Sequence, residues 1–255
     1  MGGTDWDPGT YGRFRGLRLR PALDLLAQVP DLPEGAVVDL GCGDGAAARA
    51  LRARFPERRL VGVDASPAML EQARGYDALQ GADIATWQPE APVALIFSNA
   101  VLQWLGDHAG LMPRLAGCLV PGGVLAIQMP RQFNAPSHRF LRDIAQGMFP
   151  DRFDFSQWRP PVDRAQAYWA MLAPLGQVTA WETDYVQRLD PAEQGHPVRR
   201  FTESTVMRPF AARLDAAELA RFVAAYDEAL AAAYPLQQDG SVLFPFRRVF
   251  LILGV

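Results

Sequence analysis

The chain has 255 residues, 49% of them hydrophobic and 21% charged, with a formal net charge of −3. It has no apolar run of the roughly 18 residues that a membrane helix needs, and its acidic balance disfavours a nucleic-acid partner. Its two cysteines, Cys42 and Cys118, make no metal-type or redox-type pair, which suits a reducing cytoplasm.

In chain order, Pro21–Gln28 reads as a helix with proline in its first turn. Val37–Leu40 is a short apolar strand that meets three glycines at alternate positions, Gly41, Gly43 and Gly45. Gly45–Phe55 reads as the helix that follows. Leu60–Asp64 is a second strand ending in an acid. Ser66 is a good N-cap and Pro67 a good first residue for the next helix. Gly81-Ala82-Asp83 closes a third strand and Ala94–Asn99 forms a fourth. Leu111–Leu119 is helical, and Val124–Met129 is a fifth strand after the turn Pro121-Gly122-Gly123. This alternation predicts an α/β fold, a mostly parallel sheet with helices on both faces.

The pattern changes after Met129. Ser137–Met148 and Ala165–Leu172 read as helices and Val178–Tyr185 as a strand. Val186–Arg200 is irregular and is expected to loop over the site. Leu214–Tyr234 is the longest helix, opened by the capping-box pattern Asp215…Glu218. Arg248–Leu253 is a closing strand.

Ligands of open α/β sheets lie beyond the carboxyl ends of the strands. Asp64, Asp83 and Asn99 fall at three such ends in succession. A carboxylate at Asp64 can accept both ribose hydroxyls, and one at Asp83 can accept an adenine amine. Glycines 41, 43 and 45 let the backbone approach a ligand. Gly41-x-Gly43-x-x-Ala46 also loosely satisfies the dinucleotide pattern, so a nicotinamide dinucleotide competes with S-adenosylmethionine. Asp39 favours the second, because an anion there repels pyrophosphate and can face an ammonium or a sulfonium. Trp104 follows the Asn99 strand end closely and is expected to line the cofactor side.

Together these residues resemble a class I S-adenosylmethionine-dependent methyltransferase. Further segments resemble the trans-aconitate methyltransferase family: Asp5-Trp6-Asp7-Pro8 with Tyr11, Arg20-Pro21, Ala82-Asp83-Ile84 with Trp87, Asn99-Ala100, Leu102-Gln103-Trp104-Leu105 and Gln128-Met129-Pro130. Ala167-Tyr168, Arg208-Pro209, Tyr234-Pro235-Leu236-Gln237 and Arg248 continue the match. The resemblance implies a Rossmann-like, mostly parallel seven-stranded sheet with an antiparallel last strand and a helical acceptor lid. It divides a single domain into an N-terminal helical cover (1–30), a cofactor core (31–130), acceptor-lid elements (131–235) and a closing strand (236–255). It adds Tyr11, Cys42, Ala65, Met69, Ile84 and Gln103 to the cofactor side. The implied reaction is methylation of trans-aconitate, or a similar small polycarboxylate, to a monomethyl ester, in the cytoplasm, with no metal and no obligate protein partner.

The residues suit that chemistry. A carboxylate is ionised at neutral pH, with a pKa near ~4, so no general base is needed. Orientation in line with the sulfur–methyl bond is the main demand. No Ser/His/Asp set or His/Cys metal cluster stands out, and His108 reads as a solvated or capping residue at a helix start. All basic residues are arginine, a planar fork suited to carboxylates. Arg20, Arg131, Arg208 and Arg248 are the expected acceptor ligands, with Tyr168 shaping the pocket. Methylation of another small molecule or of a carrier-bound malonyl group, a non-catalytic cofactor-binding module, and a nicotinamide oxidoreductase are the alternatives.

Overall fold

The computed structural model of the chain describes residues 15–255. Tyr11 lies outside them. The elements are α1 (Arg15–Ala27), β1 (Val37–Leu40), α2 (Ala48–Arg54), β2 (Leu60–Asp64), α3 (Pro67–Leu70), β3 (Ala78–Gly81), β4 (Val93–Asn99), a 3₁₀ turn (Leu102–Trp104), α4 (His108–Ala116) and β5 (Leu119–Pro130). There follow α5 (Pro136–Met148), α6 (Ala165–Leu172), a second 3₁₀ turn (Ala173–Leu175), β6 (Gln177–Leu189), α7 (Pro197–Glu203), α8 (Arg208–Ala211), α9 (Ala216–Ala233) and β7 (Val242–Gly254).

The strands form one seven-stranded sheet in the order β3-β2-β1-β4-β5-β7-β6. β1 pairs in parallel with β2 and β4, β2 with β3, and β4 with β5, whereas β7 runs antiparallel to β5. The expected fold class is therefore the observed one. β1 is buried at every residue and β4 at all but its last, as central strands covered on both faces must be. Edge strand β3 alternates between half-buried and exposed.

Element boundaries differ from expectation where glycine or proline intervenes. Helix α2 starts at Ala48, not Gly45, because Gly41, Gly43 and Gly45 hold φ of 81°, 54° and 88°, which no right-handed helix accommodates. Helix α1 starts at Arg15, so Pro21 sits inside it and forfeits a hydrogen bond. Burial of Ala22, Leu25 and Leu26 offsets that loss. Pro121-Gly122-Gly123 is not a turn before β5 but a bulge within it. Register passes from Val93↔Leu119 to Leu95↔Val124, and Gly122, at φ 78°, donates its N–H to the Val255 carbonyl. Strand β6 runs on to Leu189, and helix α7 begins at Pro197, which shortens the expected loop over 186–200.

The chain divides into two compact units. The first holds the described residues up to Pro130, Pro161–Thr183 and Arg248–Val255; the second holds Arg131–Pro160 and Asp184–Arg247. The core of the first is the sheet itself, with Leu40, Leu95, Ile96 and Phe97 fully buried. The second is built on α5, α7 and α9. The α9 capping box forms as the sequence predicts, with Asp215 and Glu218 each accepting the other's backbone N–H. Phe153, Phe210 and Phe222 stack in a row. Tyr226 donates its hydroxyl to the Ser137 carbonyl at 2.6 Å. His138 is buried beside Arg142, and both push its pKa down to about 3, so the ring stays neutral.

Candidate active site

The glycine loop leaves β1 at its carboxyl end, and each of its glycines answers a different constraint. A Cβ on Gly41 would lie 2.3 Å from a Val101 methyl carbon. One on Gly45 would press on the Arg74 backbone at 3.0 Å. A Cβ on Gly43 would meet no atom of the described residues within 4 Å. Gly41 and Gly45 thus serve packing, while Gly43 faces open space.

Asp64, at the end of β2, holds this loop in place. Its Oδ2 accepts the Gly43 N–H at 2.9 Å and its Oδ1 accepts the Ser66 N–H at 2.9 Å. Ser66 caps α3 through the Met69 N–H, as its position predicts. Met69 is buried and Ala65 exposed. Asp83 is exposed two residues beyond β3, where its Oδ1 accepts the Ala85 N–H at 2.9 Å in a turn that buries Ile84. Both acids are fixed by backbone donors, and Asp64 is bonded to Gly43 itself.

Asp39 behaves differently from the expectation. It is 2% exposed, and its Oδ2 accepts the Tyr76 hydroxyl at 2.6 Å. Burial pushes its pKa up to about 7, with the Asp64 charge adding to the rise and the Tyr76 bond opposing it. The residue is therefore only partly an anion at neutral pH, and its charge argues less against pyrophosphate than the sequence suggested. Tyr76, which sequence reasoning missed, packs where Gly45 and Gly62 lack side chains and braces the loop against Asp39. Cys42 is buried, and burial together with Asp39 raises its thiol pKa.

Beyond β4 the backbone turns sharply. Ala100 takes φ 59°, uncommon for a residue with a Cβ, and donates its N–H to the Gln128 carbonyl at 2.9 Å. Gln103 is buried and donates Nε2–H to the Ala100 carbonyl at 2.6 Å. Asn99 Oδ1 and Gln103 Oε1 are both buried with no donor. Trp104, by contrast, is 56% exposed. A buried acceptor without a donor is costly, so two of them at one strand end fit a ligand that supplies N–H or O–H groups.

Among the expected acceptor residues, Arg248 is buried on β7 and donates from one guanidinium nitrogen to Gln128 Oε1 at 3.3 Å. Arg20 is exposed on α1 and pairs with Asp24 at 3.9 Å. Tyr168 is 1% exposed and lies in the core of the first unit. Its hydroxyl meets His108 Nδ1 at 2.7 Å and accepts the Asp163 N–H. His108 is buried too, with Nε2 on the Leu102 carbonyl at 2.8 Å, so it is not solvated as its helix-start position suggested. Arg131 and Arg208 belong to the second unit, half-buried and exposed respectively.

No group of three or more His, Cys, Asp or Glu able to hold a metal occurs among the described residues. Among them, no helix is long and apolar enough to cross a membrane.

A family model described as a methyltransferase domain matches residues 11–179. Trans-aconitate 2-methyltransferase of Methylobacterium nodulans is 46% identical to this chain over 97% of each sequence. The enzyme of the same name from an Azoarcus species is 44% identical over 97% of this chain and 98% of its own. Among solved structures, the Bacillus subtilis YcgJ protein superposes with a TM-score of 0.55 at 17% identity, covering 91% of this chain and 97% of that one, a likeness of fold. With relatives of 44–46% identity along 97% of this chain, and a methyltransferase family model matching residues 11–179, the chain belongs to the trans-aconitate 2-methyltransferase family of S-adenosylmethionine-dependent methyltransferases.

Proposed function

We propose that this protein transfers a methyl group from S-adenosylmethionine to one carboxylate of trans-aconitate, giving a monomethyl ester. The observation that supports the reading most directly is the 46% identity to a trans-aconitate 2-methyltransferase along almost the whole of both chains. When bound, S-adenosylmethionine supplies an electrophilic methyl on a positively charged sulfur. Gly43 leaves room for it beside the backbone, Asp64 takes the ribose hydroxyls, and Asp83 with Ile84 holds the adenine. Asn99 and Gln103 offer their buried oxygens to its donors. On the cofactor side, Tyr11, Asp39, Gly41, Cys42, Gly45, Ala65, Met69 and Trp104 complete the set.

The chain's part in the chemistry is placement. The acceptor carboxylate arrives ionised, so no side chain has to remove a proton. Arg248, buried on the sheet, holds a remote carboxylate and leaves the reactive one free to approach the methyl carbon. Arg20, Arg131 and Arg208 are further candidates to hold an anion, whereas Tyr168 is committed to His108 in the core of the first unit. Bringing two reactants into line supplies several kcal/mol, on the order of 7 or more where alignment is good.

A screen of di- and tricarboxylic acids with methyl-labelled S-adenosylmethionine tests the reading. Label should enter trans-aconitate as a base-labile monoester, with slower transfer to shorter diacids. Transfer only to neutral small molecules or to a carrier-bound malonyl thioester would replace it with the second acceptor class.

A further inference from the structure

Strand register brings four polar residues of distant sequence onto one face of the sheet. Asp39 pairs with Phe97, Asn99 with Gln128, Gln128 with Phe250, and Pro130 with Arg248. Side chains two apart on a strand share a face, so Asp39, Asn99, Gln128 and Arg248 line up on the same side. Gln128 is the hub of this row and is fully buried in an otherwise apolar stretch of β5.

The orientation of its amide follows from chemistry. A guanidinium only donates, so the oxygen of Gln128 must face Arg248, and it does so at 3.3 Å. The NH₂ group is thereby turned away from the arginine, and Nε2 is buried with no acceptor. Leaving a buried donor unmet is costly, and an apolar residue of similar volume would remove the cost. The guanidinium and the amide NH₂ are linked through Oε1, and both are donors of the kind a carboxylate accepts.

We propose that Gln128 is a specificity-determining residue that, with Arg248, reads a non-reacting carboxylate of the acceptor and rejects an uncharged carboxamide in its place. The inference rests on the polycarboxylate reading above. A carboxamide would set its own NH₂ against that of Gln128, and sites built to meet one hydrogen-bonding pattern discriminate strongly against its reverse.

The test compares a tricarboxylate with its mono-carboxamides for the wild-type protein, Gln128→Glu and Gln128→Met. Wild type should prefer the acid by at least tenfold in kcat/KM. Gln128→Glu replaces the donor with an acceptor, so the ratio should fall at least tenfold and turn toward the amide, while S-adenosylhomocysteine affinity by calorimetry stays within about threefold. Gln128→Met keeps the volume and should raise KM for the acid about tenfold with little change in kcat. The two variants guard against misfolding of either, each checked by its thermal melt. A selectivity ratio that neither variant moves overturns the role of Gln128. A wild-type protein that methylates no polycarboxylate overturns the underlying reading instead.

Discussion

The two units differ in how many buried polar atoms they leave unmet. In the second, arginines end on carboxylates of the same unit: Arg199 on Asp227 and Glu203, Arg152 on Glu218, Arg188 on Asp190 and Asp239, Arg247 on Asp184. In the first, Asn99, Gln103 and Gln128 each keep a buried polar atom without a partner. Gln187 Oε1 is the one such atom found in the second unit among the described residues. Closed networks fix a fold, whereas open ones are tolerated where a ligand completes them. These four arginines of a lysine-free chain are thus structural and are not candidates to hold an anion.

The largest effect is expected where a closed network is cut. Arg199 is buried between Asp227 and Glu203, and removing one partner of such a pair costs about 3 kcal/mol. Arg199→Ala should lower the melting temperature by about 10 °C while leaving S-adenosylhomocysteine affinity nearly unchanged at a temperature where the protein is folded. A melt within 2 °C or so of wild type would mean that the network is not what holds the second unit.

Asp64→Ala should show its main effect in binding. Loss of the ribose contacts costs on the order of 2–4 kcal/mol of binding, so calorimetry should record at least tenfold weaker S-adenosylmethionine binding. An unchanged affinity would leave Asp64 only its backbone role toward Gly43 and Ser66.

The glycines sharpen the contrast within one loop. Gly41→Ala drives a methyl into Val101 and should reduce stability by about 2 kcal/mol or more. Gly43→Ala faces open space, so it should pay only about 1 kcal/mol for its positive φ yet lose affinity for the cofactor about tenfold. Paired melts and titrations that rank the two alike would remove the distinction between a packing glycine and a cradle glycine.

Tyr76→Phe tests the brace beneath the loop through its pH dependence. Burial raises the Asp39 pKa to about 7 in the folded protein from 3.8. Folding therefore favours the protonated form, so this group's contribution to stability is greatest below about pH 4 and declines as pH rises to about 7. Without the Tyr76 bond the pKa rises further, and the decline continues above pH 7. The variant should lose about 1 kcal/mol at pH 5 and more at pH 8.5, read from denaturant melts. An equal loss at both would mean that the hydroxyl does not hold a carboxylate. Smallest of all, Arg20→Gln should change stability by less than ~0.5 kcal/mol, since its pair with Asp24 is exposed.

The residues proposed for the cofactor stand out in sequence because their signals are local. Asp64 and Asp83 stand at or just beyond the ends of β2 and β3, and the three glycines lie within five residues of one strand-turn-helix unit. The acceptor half is not local: Gln128 and Arg248 meet across strands 120 residues apart in sequence. Nor does an arginine's position reveal whether a carboxylate already holds it, as Asp184 holds Arg247 beside Arg248. Tyr168 shows a related limit. An aromatic at helical spacing looks the same whether it lines a pocket or, as here, meets His108 in the core. Tyr76 left only a faint trace, a large aromatic just after Gly75, and nothing in sequence joins it to Asp39.

Ala100 has a consequence of its own. Its left-handed backbone stores strain of about 1–2 kcal/mol between the amides of Asn99 and Gln103. The angle of that turn is held by uncharged hydrogen bonds, Ala100 N–H to the Gln128 carbonyl and Gln103 Nε2–H to the Ala100 carbonyl. High ionic strength and moderate acid, which loosen the arginine pairs elsewhere, should leave that angle untouched.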